Sequence, residues 1–120
     1  MGSSNYFKER RKYPRVYVDL PLQYQAKYDP HARGGLVVNA SETGLLIYST
    51  KDIPIGTRLK IDILFPKGYE LADFEVVAEI IWKKLNVEKD GKRYQYGLKF
   101  IQMLEEDHLK LKQVLRGRFK

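Results

Sequence analysis

The chain has 120 residues and a mass of 14.1 kDa, room for one domain around a single core. Hydrophobic residues make up 43% and charged residues 31%, and nine Tyr, five Phe and one Trp supply large core anchors, which excludes wholesale disorder. Cys is absent, which excludes disulfides, thiolate metal sites and a Cys nucleophile.

No apolar run approaches the roughly 18–20 residues needed to cross a bilayer, and no stretch reads as a signal peptide. The expectation is a cytoplasmic domain without a membrane span. Lys and Arg total 22 against 15 Asp and Glu, a net charge of +7, which favours anionic partners. The excess gathers at the two ends, in residues 8–15 (KERRKYPR) and residues 108–120. Met1-Gly2-Ser3-Ser4 resembles a leader added for expression. Residues 1–9 are expected to be a flexible segment ahead of one domain over 10–120.

Val16–Gln25 reads VYVDLPLQYQ, with Val16, Val18, Leu20, Leu22 and Tyr24 on one face. That period of two predicts a half-buried strand, and Pro21 predicts an edge or a bulge. Asp29-Pro30 and Gly34-Gly35 predict a loop. Leu36–Val38 is a short strand, Asn39–Gly44 a turn by composition, and Leu45–Tyr48 the next strand. After a loop holding Pro54 and Gly56, Arg58–Phe65 alternates again, and Pro66-Lys67-Gly68 turns.

Phe74–Leu85 places Val76, Ala78, Ile80 and Trp82 on one face, which predicts Trp82 as core. Asn86–Gly91 is a polar hairpin loop, and Arg93–Ile101 returns with Tyr94, Tyr96, Leu98 and Phe100 facing in. In the tail, Leu104, His108, Leu111 and Leu115 form one helical stripe. Glu105, Glu106 and Asp107 lie in its first turn, and Arg116 and Arg118 near its end, as the helix dipole prefers. About six short strands and one helix predict an all-β class: a small antiparallel barrel or sandwich closed by a C-terminal α-helix.

The catalytic inventory argues against an enzyme. His31 sits in a loop, and His108 reads as a partly buried helix residue with no nucleophile placed beside it. The acids 105–107 point in different directions on a helix and do not make a metal site. No phosphate-loop, dinucleotide, zincin or EF-hand pattern occurs.

Two segments carry binding chemistry. Arg10-Arg11-Lys12-Tyr13-Pro14-Arg15 is a basic arm stiffened by Pro14. Its guanidinium groups fork onto phosphate oxygens or the O6 and N7 of guanine and stack on bases. Asn39, Ser41 and Gly44 lie in the turn Asn39–Gly44, where Gly44 permits positive φ or close approach. An ordinary side-chain-bonded turn accounts for the same residues.

Together, RxxxR (Arg11, Arg15) followed by NxSxxG (Asn39, Ser41, Gly44) resembles the PilZ domain family of bacterial cyclic di-GMP receptors. Tyr96–Phe100 and the 104–116 segment match the family's late strand and terminal helix. The resemblance implies a six-stranded antiparallel β-barrel with a C-terminal helix. It implies a non-enzymatic receptor that binds cyclic di-GMP with no further cofactor or metal and signals to a downstream protein. Arg11 and Arg15 would hold guanine and phosphate, Asn39 and Ser41 the guanine edge and phosphate, and Gly44 would leave room. The extra Arg10 implies two intercalated copies of the dinucleotide. The competing readings are a single-stranded nucleic-acid-binding barrel, from the basic ends and the tyrosines, and a ligand-free PilZ-like interaction scaffold.

Overall fold

The computed structural model describes residues 14–117. The expectations for residues 1–9, and for Arg10 and Arg11, lie outside these described residues. Six strands follow one another as β1 (Val16–Ala26), β2 (Arg33–Ala40), β3 (Gly44–Ser49), β4 (Arg58–Lys67), β5 (Glu70–Glu88) and β6 (Gly91–Gln102), and then comes one helix, α1 (Glu105–Leu115). The strands close into an antiparallel barrel in the order β1-β2-β3-β6-β5-β4.

The inward positions of β1 are those the alternation predicts: Val18, Leu20, Leu22 and Tyr24 are buried and Val16 packs on the core. They meet Ile61 and Ile63 of β4, Phe74 and Val76 of β5 and Leu98 of β6 in one cluster. β1 pairs with β2 from Val16 to Tyr24 and with β4 from Leu22 to Ala26. Pro21 sits just past Leu22↔Ile63, the last β1–β4 pair, where a missing N–H costs no ladder bond. The irregular stretch of β1 lies immediately before it, between Tyr17 and Leu20, with Asp19 at φ 54°.

Several boundaries differ from the sequence expectation. Gly34 and Gly35 belong to β2 rather than to a loop. A Cβ on Gly35 would stand 2.8 Å from the Tyr48 carbonyl oxygen, so this glycine serves close strand contact. Asn39 and Ala40 finish β2 and Gly44 opens β3, which reduces the turn to Ser41–Thr43. Pro66 and Lys67 extend β4, and Asn86–Glu88 extend β5.

Trp82 is a correction of substance. A bulge between Ile80 and Trp82 shifts the β5–β6 register, and one extra residue reverses which face the following side chains take. Trp82 therefore stands outside the barrel at 39% exposure. It lies over Gly97, where a Cβ would meet the indole Nε1 at 2.0 Å.

The helix also turns a different face inward. Asp107, Leu111 and Val114 are buried, whereas Leu104 is exposed and His108 half-exposed. The acid is buried because Asp107 Oδ1 accepts the Glu75 backbone N–H at 3.2 Å. β6 pairs with β5 only from Val77 onward, so Asp107 caps a backbone group that β6 does not reach. At the other end of the barrel, the Tyr96 hydroxyl accepts Ile53 N–H at 2.8 Å and donates to the Lys51 carbonyl at 2.5 Å, pinning the β3–β4 loop. Burial pushes the Tyr96 phenol up to about 12.

A carboxylate cluster on β4 and β5 has a consequence for pH. Carboxylate oxygens of Asp62, Asp73 and Glu75 lie within 4.8 Å of one another, and Asp62 Oδ1 is buried with no hydrogen-bond partner among the described residues. Desolvation, the contact with Asp73 and the charges of Asp73, Glu75 and Asp107 push the Asp62 carboxyl up to about 7 from 3.8. The contact with Asp73 becomes a hydrogen bond only when a proton sits between the two carboxyls. A folded-state value above the unfolded one means stability that is full below pH 3.8 and lost as pH rises through about 7. Asp62→Asn should therefore be more stable than the parent at pH 8, by about 1–2 kcal/mol after solvent screening, and melt correspondingly higher. Near pH 4 the two should coincide. Parallel thermal melts check this, and a gap that does not widen with pH would place the repulsion elsewhere.

Candidate functional site

Arg15 and Asn39 meet. The Arg15 guanidinium donates from Nη1 to Asn39 Oδ1 at 3.0 Å, across 24 residues of sequence. Pro14 and Arg15 precede β1 directly, and Val16↔Ala40 and Tyr17↔Asn39 are the first β1–β2 pairs. The ladder thus brings the end of the basic arm against the end of β2.

Ser41 builds the turn. Its Oγ accepts the N–H groups of Thr43 and Gly44, each at 3.2 Å, and Ser41 N–H donates to the Gly44 carbonyl at 2.9 Å. With 2% exposure the hydroxyl has its acceptor lone pairs committed to those two N–H groups, and its own proton is within reach of Thr43 Oγ1 at 3.2 Å. The turn is fastened to β6 by Phe100 N–H donating to the Thr43 carbonyl at 2.9 Å.

Gly44 has a structural reason of its own. It is not among the described residues with positive φ. A Cβ there would stand 2.2 Å from the Leu98 carbonyl oxygen. The close approach that this glycine permits is that of the β6 backbone.

Register fixes what surrounds Asn39. Val16, Ala40, Leu45, Leu98 and Ile80 pair across five strands and face the core. The adjacent row pairs Tyr17, Asn39, Leu46, Gly97 and Trp82 and, by the pleat, lies on the outer side of the sheet, where Asn39 itself is buried at 8% exposure. Tyr17 is 83% exposed. The row offers a guanidinium–carboxamide pair at one end, flat apolar surface in the middle, and an indole seated on a glycine at the other. Such a surface can grip an anionic, planar-ringed ligand with forked donors and stacking faces. Tyr17 and Trp82 are the residues that sequence reasoning left out. The signal for Trp82 was Gly97 opposite it, a small residue that lets an aromatic ring lie flat.

The turn's other flank borders the helix. Glu42 Oε1 lies 4.0 Å from His108 Nε2. Glu42 also lines a groove of about 240 Å³ with Pro14, Val16, Lys112, Leu115 and Arg116. Pro14, the turn and the helix therefore line one groove, with Lys112 and Arg116 as its cations. Among the described residues, no helix is long and apolar enough to cross a membrane.

Residues 9–117 match the PilZ domain family, and the chain belongs to it. Its fold is similar to that of the Bacillus subtilis inhibitor of motility (MotI/DgrA), at 20% identity and a TM-score of 0.71, over 91% of this chain and 51% of that one. It is similar also to the PilZ domain of YcgR from Escherichia coli, solved with c-di-GMP, at 14% identity and a TM-score of 0.66, over 90% of each chain. MrkH of K. pneumonia in its apo state is a further likeness, at 12% identity and a TM-score of 0.70, over 87% of this chain and 49% of that one. At such identities the likeness is one of fold. The chain spans about half the length of MotI/DgrA and MrkH. No curated protein sequence matches it.

Proposed function

We propose that this chain is a receptor domain for cyclic di-GMP, holding it between the arm (Arg10, Arg11, Arg15) and the turn (Asn39, Ser41, Gly44) and relaying the binding to a partner protein. Membership of the PilZ family supports the ligand class. The observation that carries the reading for these residues is the Arg15–Asn39 hydrogen bond, which joins the two motif segments on one surface. Cyclic di-GMP bears two phosphates and two guanines, so it needs cations, edge donors and acceptors, and flat faces together. The arm supplies the first and part of the third, Asn39 and Ser41 the second, and Tyr17 and Trp82 add rings beside them.

Calorimetric titration of the purified chain with cyclic di-GMP tests this, with GTP and single-stranded DNA as controls. Saturable binding of cyclic di-GMP that GTP does not displace at similar concentration is expected, because one guanine cannot engage both arm and turn. Trp82 is the only tryptophan and lies on the Asn39 row, so its emission should change with the same midpoint. Tighter binding of DNA with a steep salt dependence would overturn the proposal. Arg10 decides stoichiometry: two copies per chain are expected for the parent and one for Arg10→Ala.

A further inference from the structure

Closing a barrel normally removes its sheet edges, yet this one keeps a free edge. β5 pairs with β4 only from Glu70 to Glu79, and Ile80 adds backbone bonds to Gly56 and Thr57. From there to Glu88 one side of β5 stays paired with β6, down to Glu88↔Gly91. Among the described residues, the other side of Ile81–Glu88 takes no backbone partner. The free edge is longer than an average strand of about 5–6 residues.

Its side chains are unusually apolar for an exposed edge. Ile81 is 46% exposed, Leu85 45% and Val87 74%. Leu85 and Val87 lie on the side that continues the barrel interior, opposite Tyr94 and Lys92, and Trp82 lies on the outer side. The bulge and the paired lysines Lys83 and Lys84 guard the edge against indiscriminate pairing. They do not guard it against an acidic strand. Between residues 83 and 93 five cations face only Glu88 and Asp90. Lys83 is held by Asp52 at 2.8 Å and Arg93 by Glu88 at 3.7 Å, whereas Lys84, Lys89 and Lys92 have no ion pair among the described residues.

We propose that the edge Ile81–Glu88 docks, by strand addition, an extended acidic segment of a partner protein in which alternate residues are apolar. Backbone bonds to the open edge would supply affinity. Leu85 and Val87 on one face and Trp82 on the other would read the apolar positions, and the unpaired lysines the acids. A second copy of this chain is a poor occupant, because antiparallel self-pairing about the strand centre crowds Lys83 and Lys84 of both copies together. The edge shares Trp82 with the row that holds Asn39, but none of the variants that test it touches that row and its test uses no nucleotide, so its failure leaves the receptor reading untouched.

The probe is a fluorescein-labelled peptide of about eight residues alternating Glu and Val, long enough to cover the edge, titrated into the full chain by fluorescence anisotropy. A peptide alternating Lys and Val is the control. Saturable binding of the acidic peptide is expected, with the basic one weaker by roughly tenfold or more. Amide exchange should slow across Ile81–Glu88 and not at β1. Exchanging Lys84, Lys89 and Lys92 for Glu, all exposed, should reverse the preference without unfolding the chain. Leu85→Asp with Val87→Asp should weaken the acidic peptide alone. Absent or charge-indifferent binding, protection elsewhere, or a peptide-free dimer already protected at Ile81–Glu88 would each overturn the proposal.

Discussion

Gly44→Ala is expected to destabilise the domain by about 2–4 kcal/mol, in the range of severe overpacking at a buried site. The added Cβ would stand 2.2 Å from the Leu98 carbonyl oxygen, and that oxygen belongs to a strand backbone, not to a flexible tip. Relief requires β3 to part from β6 at Gly44↔Lys99 and Leu45↔Leu98, where Leu45 and Leu98 are fully buried in the core. Gly34→Ala is the control. Nothing lies within 4 Å of its Cβ position, and the residue sits in a strand without positive φ, so the change should be neutral or slightly stabilising. Denaturant unfolding of both variants separates two roles for Gly44. A variant that unfolds early supports the strand-contact role. One as stable as the parent that no longer binds cyclic di-GMP would make ligand clearance the reason for the glycine.

Much of this architecture was legible because a barrel of this size has one interior, and alternation reports it directly. Val18, Leu20, Leu22 and Tyr24 were placed by a period of two, as were Ile61 and Ile63 opposite them. The motif segments were legible too, since their residue types and spacing are local. What escaped depends on partners distant in sequence. Gly35 resembles a turn residue until the Tyr48 carbonyl is beside it. Asp107 resembles a dipole-compensating acid until the uncapped N–H of Glu75 is beside it. Trp82 falls in phase with Val76, Ala78 and Ile80 until a bulge at Ile81 reverses the faces, and no residue in that run announces a bulge. The same register decides that Tyr17, Asn39, Leu46 and Trp82 share a row. The candidate site was therefore readable as two motifs but not as a surface.

Arg15→Ala should lower affinity for cyclic di-GMP by roughly one to two orders of magnitude, the loss of a charge-assisted contact worth about 1.5–3 kcal/mol. Stability should change little, because Arg15 is exposed and precedes β1. Asn39→Ala tests how the loss arises. Asn39 Oδ1 accepts from Arg15 at 3.0 Å, so each residue holds the other in place before any ligand arrives, and part of the affinity comes from that preorganisation. If so, the double variant should lose less than the sum of the single losses, since either change alone already frees the pair. Ser41→Ala is a different case. Its hydroxyl accepts the N–H groups of Thr43 and Gly44, so its loss should register in stability as well as in binding. Strictly additive losses for Arg15 and Asn39 in calorimetry would mean that they touch the ligand independently and that the bond between them contributes nothing to recognition.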